Sequence, residues 1–272
     1  MSSLKSAWHD VAESDYFFRV KVQLTKFSKR VLGMTELTFY EDGYLTELTA
    51  QITETGDSWV KCDRTVFYPL GGGQPGDTGT LLLNEGTLEI INTTKQADSG
   101  DVLHHIEPDS ERFQPTVGDP VTMQINWQRR YKHMRMHTAM HLLGSLIKFP
   151  VTGGQVGAIK SRLDFNLDGV QLDKTELTEQ LNQLIKSERD LAFETITDAE
   201  LDANPDLVRT MSVQPPKGAG IIRMVRIPKI DFQPCGGTHV ANLREIGELR
   251  VSKIENKGKQ NRRVHLMFAD AG

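Results

Sequence analysis

Two short stretches carry paired side chains able to bind a metal: "HTAMH" at His137–His141 and "CGGTH" at Cys235–His239. On a helix, residues four apart lie one turn apart on the same face, so His137 and His141 can aim their imidazoles at one ion. Gly236, Gly237 and Thr238 separate Cys235 from His239, and two glycines permit a turn tight enough to bring both side chains to one point. The four form a three-histidine, one-cysteine donor set suited to tetrahedral zinc. Either pair alone is also what core packing or chance produces. Both in one chain, one on a helix and one on a glycine turn, point to one zinc per chain. A metalloprotease helix is excluded, because it needs Glu after the first His and position 138 is Thr. A zinc finger needs closely spaced cysteine pairs, and this chain has two cysteines in all, Cys62 and Cys235. Cys62 reads as a small buried hydrophobe.

Other stretches suggest ligands less directly. "YPLGGGQPGDTG" (Tyr68–Gly79) holds Gly71, Gly73 and Gly76 at the spacing of a dinucleotide fingerprint. That fingerprint must open a helix in a βαβ unit, whereas Pro75 interrupts it here and strand-like "TGTLLL" follows. No Gly-Lys-Ser/Thr follows either, so it is not an ATP-binding loop. It reads as a wide turn between strands, or as a loop presenting backbone amides and Gln74 to a ligand. "RRYKHMR" (Arg129–Arg135) runs into the first histidine pair, and "KGKQNRR" (Lys257–Arg263) lies near the C-terminus. Each is a solvated face or an RNA contact. His133, within the first run, is expected to face solvent or RNA. His9, His104, His105 and His265 carry no signal.

These residues need elements to position them. The chain has 272 residues, 38% hydrophobic and 25% charged, with net charge −4, enough to bury a core without disulfides. The charge argues against a protein that coats nucleic acid non-specifically. No apolar run reaches the length of a membrane span and no secretory signal is evident. With so few cysteines, the expected compartment is the reducing cytoplasm. Residues 1–33 form a compositionally distinct extension, acid-free from Tyr16 to Leu32, expected to lie outside the fold with Met34 as the functional start. From 34 to about 125, short β-type runs alternate with turn chemistry, predicting a small barrel. From Trp127 to Ile147 one long helix is expected. "VTGGQVGAIKSRLDF" then reads as a Gly-rich loop and a strand. "DKTELTEQLNQLIKSERDL" is an amphipathic helix with a capping-box-like start at Asp173 and Glu176. Thr197 and Glu200 repeat that signal before a shorter helix. Strands follow. The fold class is α+β: an N-terminal β-barrel domain (34–125), then a domain (126–272) with helices packed on a mainly antiparallel sheet.

"FYPLGGGQPGDTG", "RRYKHMRMHTAMHLL", "SRLDF" and "CGGTHV", in this order, resemble the editing domain of alanyl-tRNA synthetase, and more closely its free-standing AlaX relatives in their longer form. The resemblance covers about residues 34–268. It implies hydrolysis of the ester joining a wrong amino acid to the tRNA 3′ end, in trans, since the chain has no room for a synthetase core. It implies zinc ligation by His137, His141, Cys235 and His239. It also implies a pocket lined by Gly72, Gly73 and Gln74, with Thr78 as a weaker contact. Threonyl-tRNA synthetase carries a related editing domain with the same four residues but without the barrel motif. Arg129, Arg130, Lys132 and Arg135, one to two turns from the histidine pair, are expected to hold the acceptor stem.

Zinc can polarise a carbonyl or activate a water only with an open coordination position. Four protein ligands would close the site, as structural zinc does. Either one ligand is loose, or the ion anchors the 3′-terminal adenosine and amino group. With no carboxylate inside the metal motifs, His137, His141, Cys235 and His239 are the proton-handling candidates. The expected substrate is Ser-tRNA(Ala), with Gly-tRNA(Ala) second. The rival readings are an RNA-binding module with structural zinc, editing of Ser-tRNA(Thr), and a metal-dependent hydrolase of small molecules. The aminoacylated end of tRNA is the expected partner. No membrane and no obligate protein partner are indicated.

Overall fold

The computed structural model describes residues 34–107, 114–167, 169–211 and 220–270. The extension 1–33 lies outside the described residues. In chain order, β1 (Glu36–Leu37), a 3₁₀ turn (Thr38–Tyr40), β2 (Glu47–Gly56), β3 (Trp59–Cys62), β4 (Arg64–Thr65), β5 (Gly79–Leu83), β6 (Gly86–Lys95), β7 (Val102–Ile106) and β8 (Pro120–Ile125) precede helix α1 (Trp127–Leu146). Then come β9 (Val151–Gln155), β10 (Lys160–Asn166), α2 (Lys174–Ile185), β11 (Ala192–Ile196), α3 (Asp198–Asp202), β12 (Ile222–Ile227), β13 (Asp231–Pro234), β14 (Leu249–Asn256) and β15 (Asn261–Phe268).

Six strands close a barrel in the order β2-β3-β7-β6-β5-β8. Alternation along the strands turns Ile52, Val60, Leu81, Leu88, Ile90, Val121 and Met123 inward, the period-2 pattern of a half-buried strand. Cys62 is buried among them, and burial pushes its thiol up. The second half is α+β, as expected. A four-stranded antiparallel sheet, β14-β15-β10-β9, and a three-stranded one, β11-β12-β13, flank the helices. Their core gathers Met134, Leu142 and Leu143 from α1, Leu177 and Leu181 from α2, and Phe165, Leu266 and Phe268 from the larger sheet.

Two expected helix starts are capped as read: Asp173 caps α2 through Thr175 N and Glu176 N, and the Thr197–Glu200 pair caps α3 in both directions. The structure adds a third cap, the Asn126 side chain accepting from Arg129 N at the start of α1. One expectation fails: the "VTGG" segment is strand β9, antiparallel to β10, with Gly153 opposite Asp164 and Gly154 opposite Leu163. The barrel loop approaches this strand closely at Gly73. A Cβ on Gly73 of the barrel loop would stand 2.8 Å from the Gly154 carbonyl oxygen, and the Val156 amide donates to the Gly73 carbonyl at 2.8 Å.

The basic run at the start of α1 is mostly spent inside the molecule. Arg130 is fully buried, with 0% exposure. Its guanidinium pairs with Asp77 and donates to the carbonyls of Val66 and Gly43. A guanidinium enclosed by protein cannot reach a phosphate, so the expected acceptor-stem role of Arg130 is corrected to joining barrel and helix. Arg129 donates to the Gly76 carbonyl. Arg135 donates twice to the Ile246 carbonyl and lies over the Phe268 ring. Lys132 is the exposed member of the run. His133 is also a correction: it is 2% exposed, and burial, then Arg129 and Arg130, hold its pKa down at about 4.

Removing one partner of a buried ion pair strands the other charge. Arg130→Ala should therefore lose about 3–5 kcal/mol of unfolding free energy in urea, far more than a solvated arginine would. Buried His104 supplies a pH dependence. Its Nε2 lies 2.7 Å from Thr65 Oγ1 and its Nδ1 3.2 Å from the Val60 carbonyl, and burial lowers its pKa to about 4. The unfolded chain, with histidine near 6.5, then binds the extra proton, so this contribution is complete above about 6.5 and is lost as pH falls toward 4. It amounts to about 3 kcal/mol. His104→Gln should flatten the wild-type stability slope between pH 6.5 and 4.5.

Candidate metal centre

Helix α1 carries His137 and His141 on one face, and the turn after β13 carries Cys235 and His239. The fold brings all four together, with ligand atoms within 4.8 Å of one another. Tetrahedral zinc with bonds of about 2.3 Å to sulfur and 2.0 Å to nitrogen sets neighbouring S and N donors about 3.5 Å apart. Cys235 Sγ lies 3.5 Å from His137 Nε2 and 3.3 Å from His239 Nε2. The donor set and its spacing fit that ion.

Each imidazole is held through its far nitrogen. His137 Nδ1 meets Gln74 Oε1 at 2.8 Å, His141 Nδ1 meets Asp231 Oδ2 at 2.8 Å, and His239 Nδ1 meets Thr138 Oγ1 at 3.2 Å. Each partner presents an acceptor. Asp231 is a carboxylate. Gln74 Oε1 also takes the Thr238 amide while its Nε2 donates to Thr238 Oγ1, which orients the side-chain amide. Thr138 gives its proton to the Met134 carbonyl. With Nδ1 of each ring occupied by an acceptor, Nε2 is the atom each histidine turns toward the cluster and would offer to a metal, the arrangement that tunes metal-bound histidine.

Charge at the site favours a cation. Burial would push the Cys235 thiol up, but the His137 and His239 rings outweigh it and hold it well below the ordinary thiol range. Burial opposes charge on His141, yet Asp231 and the Cys235 thiolate carry it up to about 10. Burial and the His137 charge bring His239 down to about 3. The result is a thiolate beside an imidazolium, and a bound cation would displace that proton.

Gln74, expected to face a ligand, is 0% exposed, so it positions His137 and leaves direct contact to others. The loop bearing it is a long excursion with a tight tip. Gly71 and Gln74 exchange backbone hydrogen bonds across Gly72 (φ 56°) and Gly73 (φ 81°), and two consecutive positive-φ residues are what a type I′ turn requires. Gly72 stands exposed. Thr78 lies at the junction of barrel and helix, its carbonyl accepting the Asn126 amide.

Sequence reasoning missed the supporting residues. Asp231, Thr138 and Thr238 have no motif of their own. Arg223 donates to the carbonyls of Cys235 (2.8 Å) and Gly237 (3.0 Å) and lies over the rings of Phe193 and Tyr40. Burial, ahead of the opposing Arg223 charge, raises the Tyr40 phenol. Only its place in the fold marks any of these.

The chain is 36% identical over 245 residues to the alanyl-tRNA editing protein AlaX-M of Methanosarcina acetivorans, covering 87% of this chain and 100% of that one. The chain belongs to the AlaX family of alanyl-tRNA editing proteins. The AlaX-L protein of Pyrococcus horikoshii is 31% identical over 85% of this chain and 57% of its own. The alanine–tRNA ligase of Sulfurisphaera tokodaii is 32% identical over 82% of this chain and 25% of its own length. The model of the threonyl and alanyl tRNA synthetase second additional domain matches residues 222–265, which include Cys235 and His239. That of class II (A) tRNA synthetases matches residues 13–129, starting upstream of the expected limit at 34. Among the described residues, no helix is long and apolar enough to cross a membrane.

Gly237 tests how tightly this AlaX-family site is built. A Cβ there would collide with the His137 ring and approach Gln74 Oε1 to 3.0 Å. Overpacking of this kind costs about 1–3 kcal/mol. Gly237→Ala should unfold in less urea by that amount and bind stoichiometric zinc at least tenfold more weakly, read by competition with a chromophoric chelator.

Proposed function

We propose that the chain hydrolyses Ser-tRNA(Ala) in trans, with Gly-tRNA(Ala) a slower substrate and Ala-tRNA(Ala) largely spared. The observation that carries this is the convergence of His137, His141, Cys235 and His239 within 4.8 Å in a chain aligned along the whole length of an alanyl-tRNA editing protein. Those four residues would hold one zinc, which when bound would polarise a carbonyl or lower the pKa of water. In this reading the barrel unit ends at about 125 and the site unit begins at 126.

The rest is the work of the chain's own groups. Asp231 is tied to His141 and Gln233 and lies 3.3 Å from Arg209. Burial would raise its carboxyl, but the His141 bond holds it low, so it orients His141 and is not the base that handles water. Of the four donors, only one released from the ion could then handle a proton. Gly72 and the Gly73 turn would lie alongside the substrate, with Thr78 and Lys132 farther out toward the tRNA body. Selection against serine suits an editing pocket. An apolar pocket rejects an added hydroxyl by only about 10²-fold, whereas a site that bonds the hydroxyl discriminates by about 10⁴.

One observation favours a second reading. A four-donor set matches the closed coordination of structural zinc, which fits an RNA-binding module without turnover. Deacylation of Ser-tRNA(Ala), Gly-tRNA(Ala), Ala-tRNA(Ala) and Ser-tRNA(Thr), with and without chelator, separates the two. The expected result is cleavage of Ser-tRNA(Ala) at least about 10²-fold faster than Ala-tRNA(Ala), abolished by chelator and by Cys235→Ala together with zinc content. Binding without cleavage would favour the RNA-binding module. Faster cleavage of Ser-tRNA(Thr) would move the chain to threonyl editing.

A further inference from the structure

An aromatic side chain stands open beside the metal centre. Phe193, on the edge strand β11, is 46% exposed, and its ring centroid lies 6.4 Å from that of His239. The other partner of this ring is Arg223, whose guanidinium carbon lies 4.3 Å from its centroid. Arg223 is anchored in turn by the carbonyls of Cys235 and Gly237, so the ring, the guanidinium and the metal-ligand turn form one assembly. The Arg223 Nε is buried without a hydrogen-bond partner, consistent with a guanidinium placed for its flat face.

We propose that Phe193, backed by Arg223, is the platform on which the base of the 3′-terminal nucleotide of tRNA stacks. This rests on the deacylase reading above. An ester at the metal centre is attached to a ribose, so its base must lie one sugar away, and Phe193 stands at that remove from His239. The tRNA end is single-stranded, and proteins hold such ends by stacking bases on aromatic rings, often with arginine beside them. Stacking uses the π-face and needs no base-edge hydrogen bonds. It is also made equally in the ground state and the transition state, so it should act on KM and leave kcat alone.

The test uses uncharged tRNA carrying 2-aminopurine as its last base, whose fluorescence is quenched on stacking. Wild-type protein should quench it, Phe193→Ala should not, and Phe193→Tyr should restore quenching, with zinc content and circular dichroism equal in all three. In deacylation, Phe193→Ala should raise KM about tenfold with kcat within twofold. Equal quenching by wild type and Phe193→Ala, or none by wild type, overturns the subsite. Aromatic-dependent quenching by a protein that cleaves no charged tRNA supports the subsite and refutes the deacylase reading instead.

Discussion

Three imidazoles can turn lone pairs toward one point only if each is prevented from rotating or changing tautomer. The acceptors that prevent it come from three separate parts of the fold. Gln74 comes from the barrel loop, Thr138 from the ligand helix itself, and Asp231 from the start of β13. Each contact needs its own element in register. The barrel is therefore part of the centre, although it supplies none of the four donors. Thr238 closes the circle by holding both ends of the Gln74 amide from within the cysteine turn.

This dependence explains how the barrel meets the second half. The loop from Val66 to Thr78 must reach over the helix start and stay there. The Arg130–Asp77 pair pins its far limb, Arg129 fixes Gly76, and Trp127 packs against both cores. At its tip, Gly73 meets the β9 backbone at a distance where a side chain would clash. The missing side chain at Gly73 lets the two backbones touch, and the loop places Gln74 against His137. Buried ion pairs add little net stability, but this one determines where the loop bearing Gln74 lies.

The same economy governs charge. Arg130, Arg135 and Arg223 are spent on backbone carbonyls, one carboxylate and aromatic rings within the molecule. The chain as a whole carries a net charge of −4, and these three arginines are held by internal partners. Membership of the AlaX family brings a nucleic acid to the site all the same.

Much was legible in the residues alone. Period-2 runs between turn signals marked the barrel, because strands that bury one face must alternate. The caps at Asp173 and Thr197 marked helix starts, because unsatisfied amides need a local acceptor. The four donors were legible because their chemistry and spacing rarely arise together. What the sequence could not decide was which polar residues face outward. Arg130 and His133 sit in a run that reads as solvated, yet they are buried, because α1 is enclosed by partners distant in sequence. Gln74 reads as a ligand contact and proves to be a hydrogen-bond acceptor for His137. Phe193, Arg223, Asp231 and Thr138 had no signal, because their roles are set by neighbours 12 to 101 positions away. Spacing along the chain determines which side chains can share a helix face or a turn. Only the tertiary structure decides what stands opposite them, and hydrogen bonding and burial depend on that.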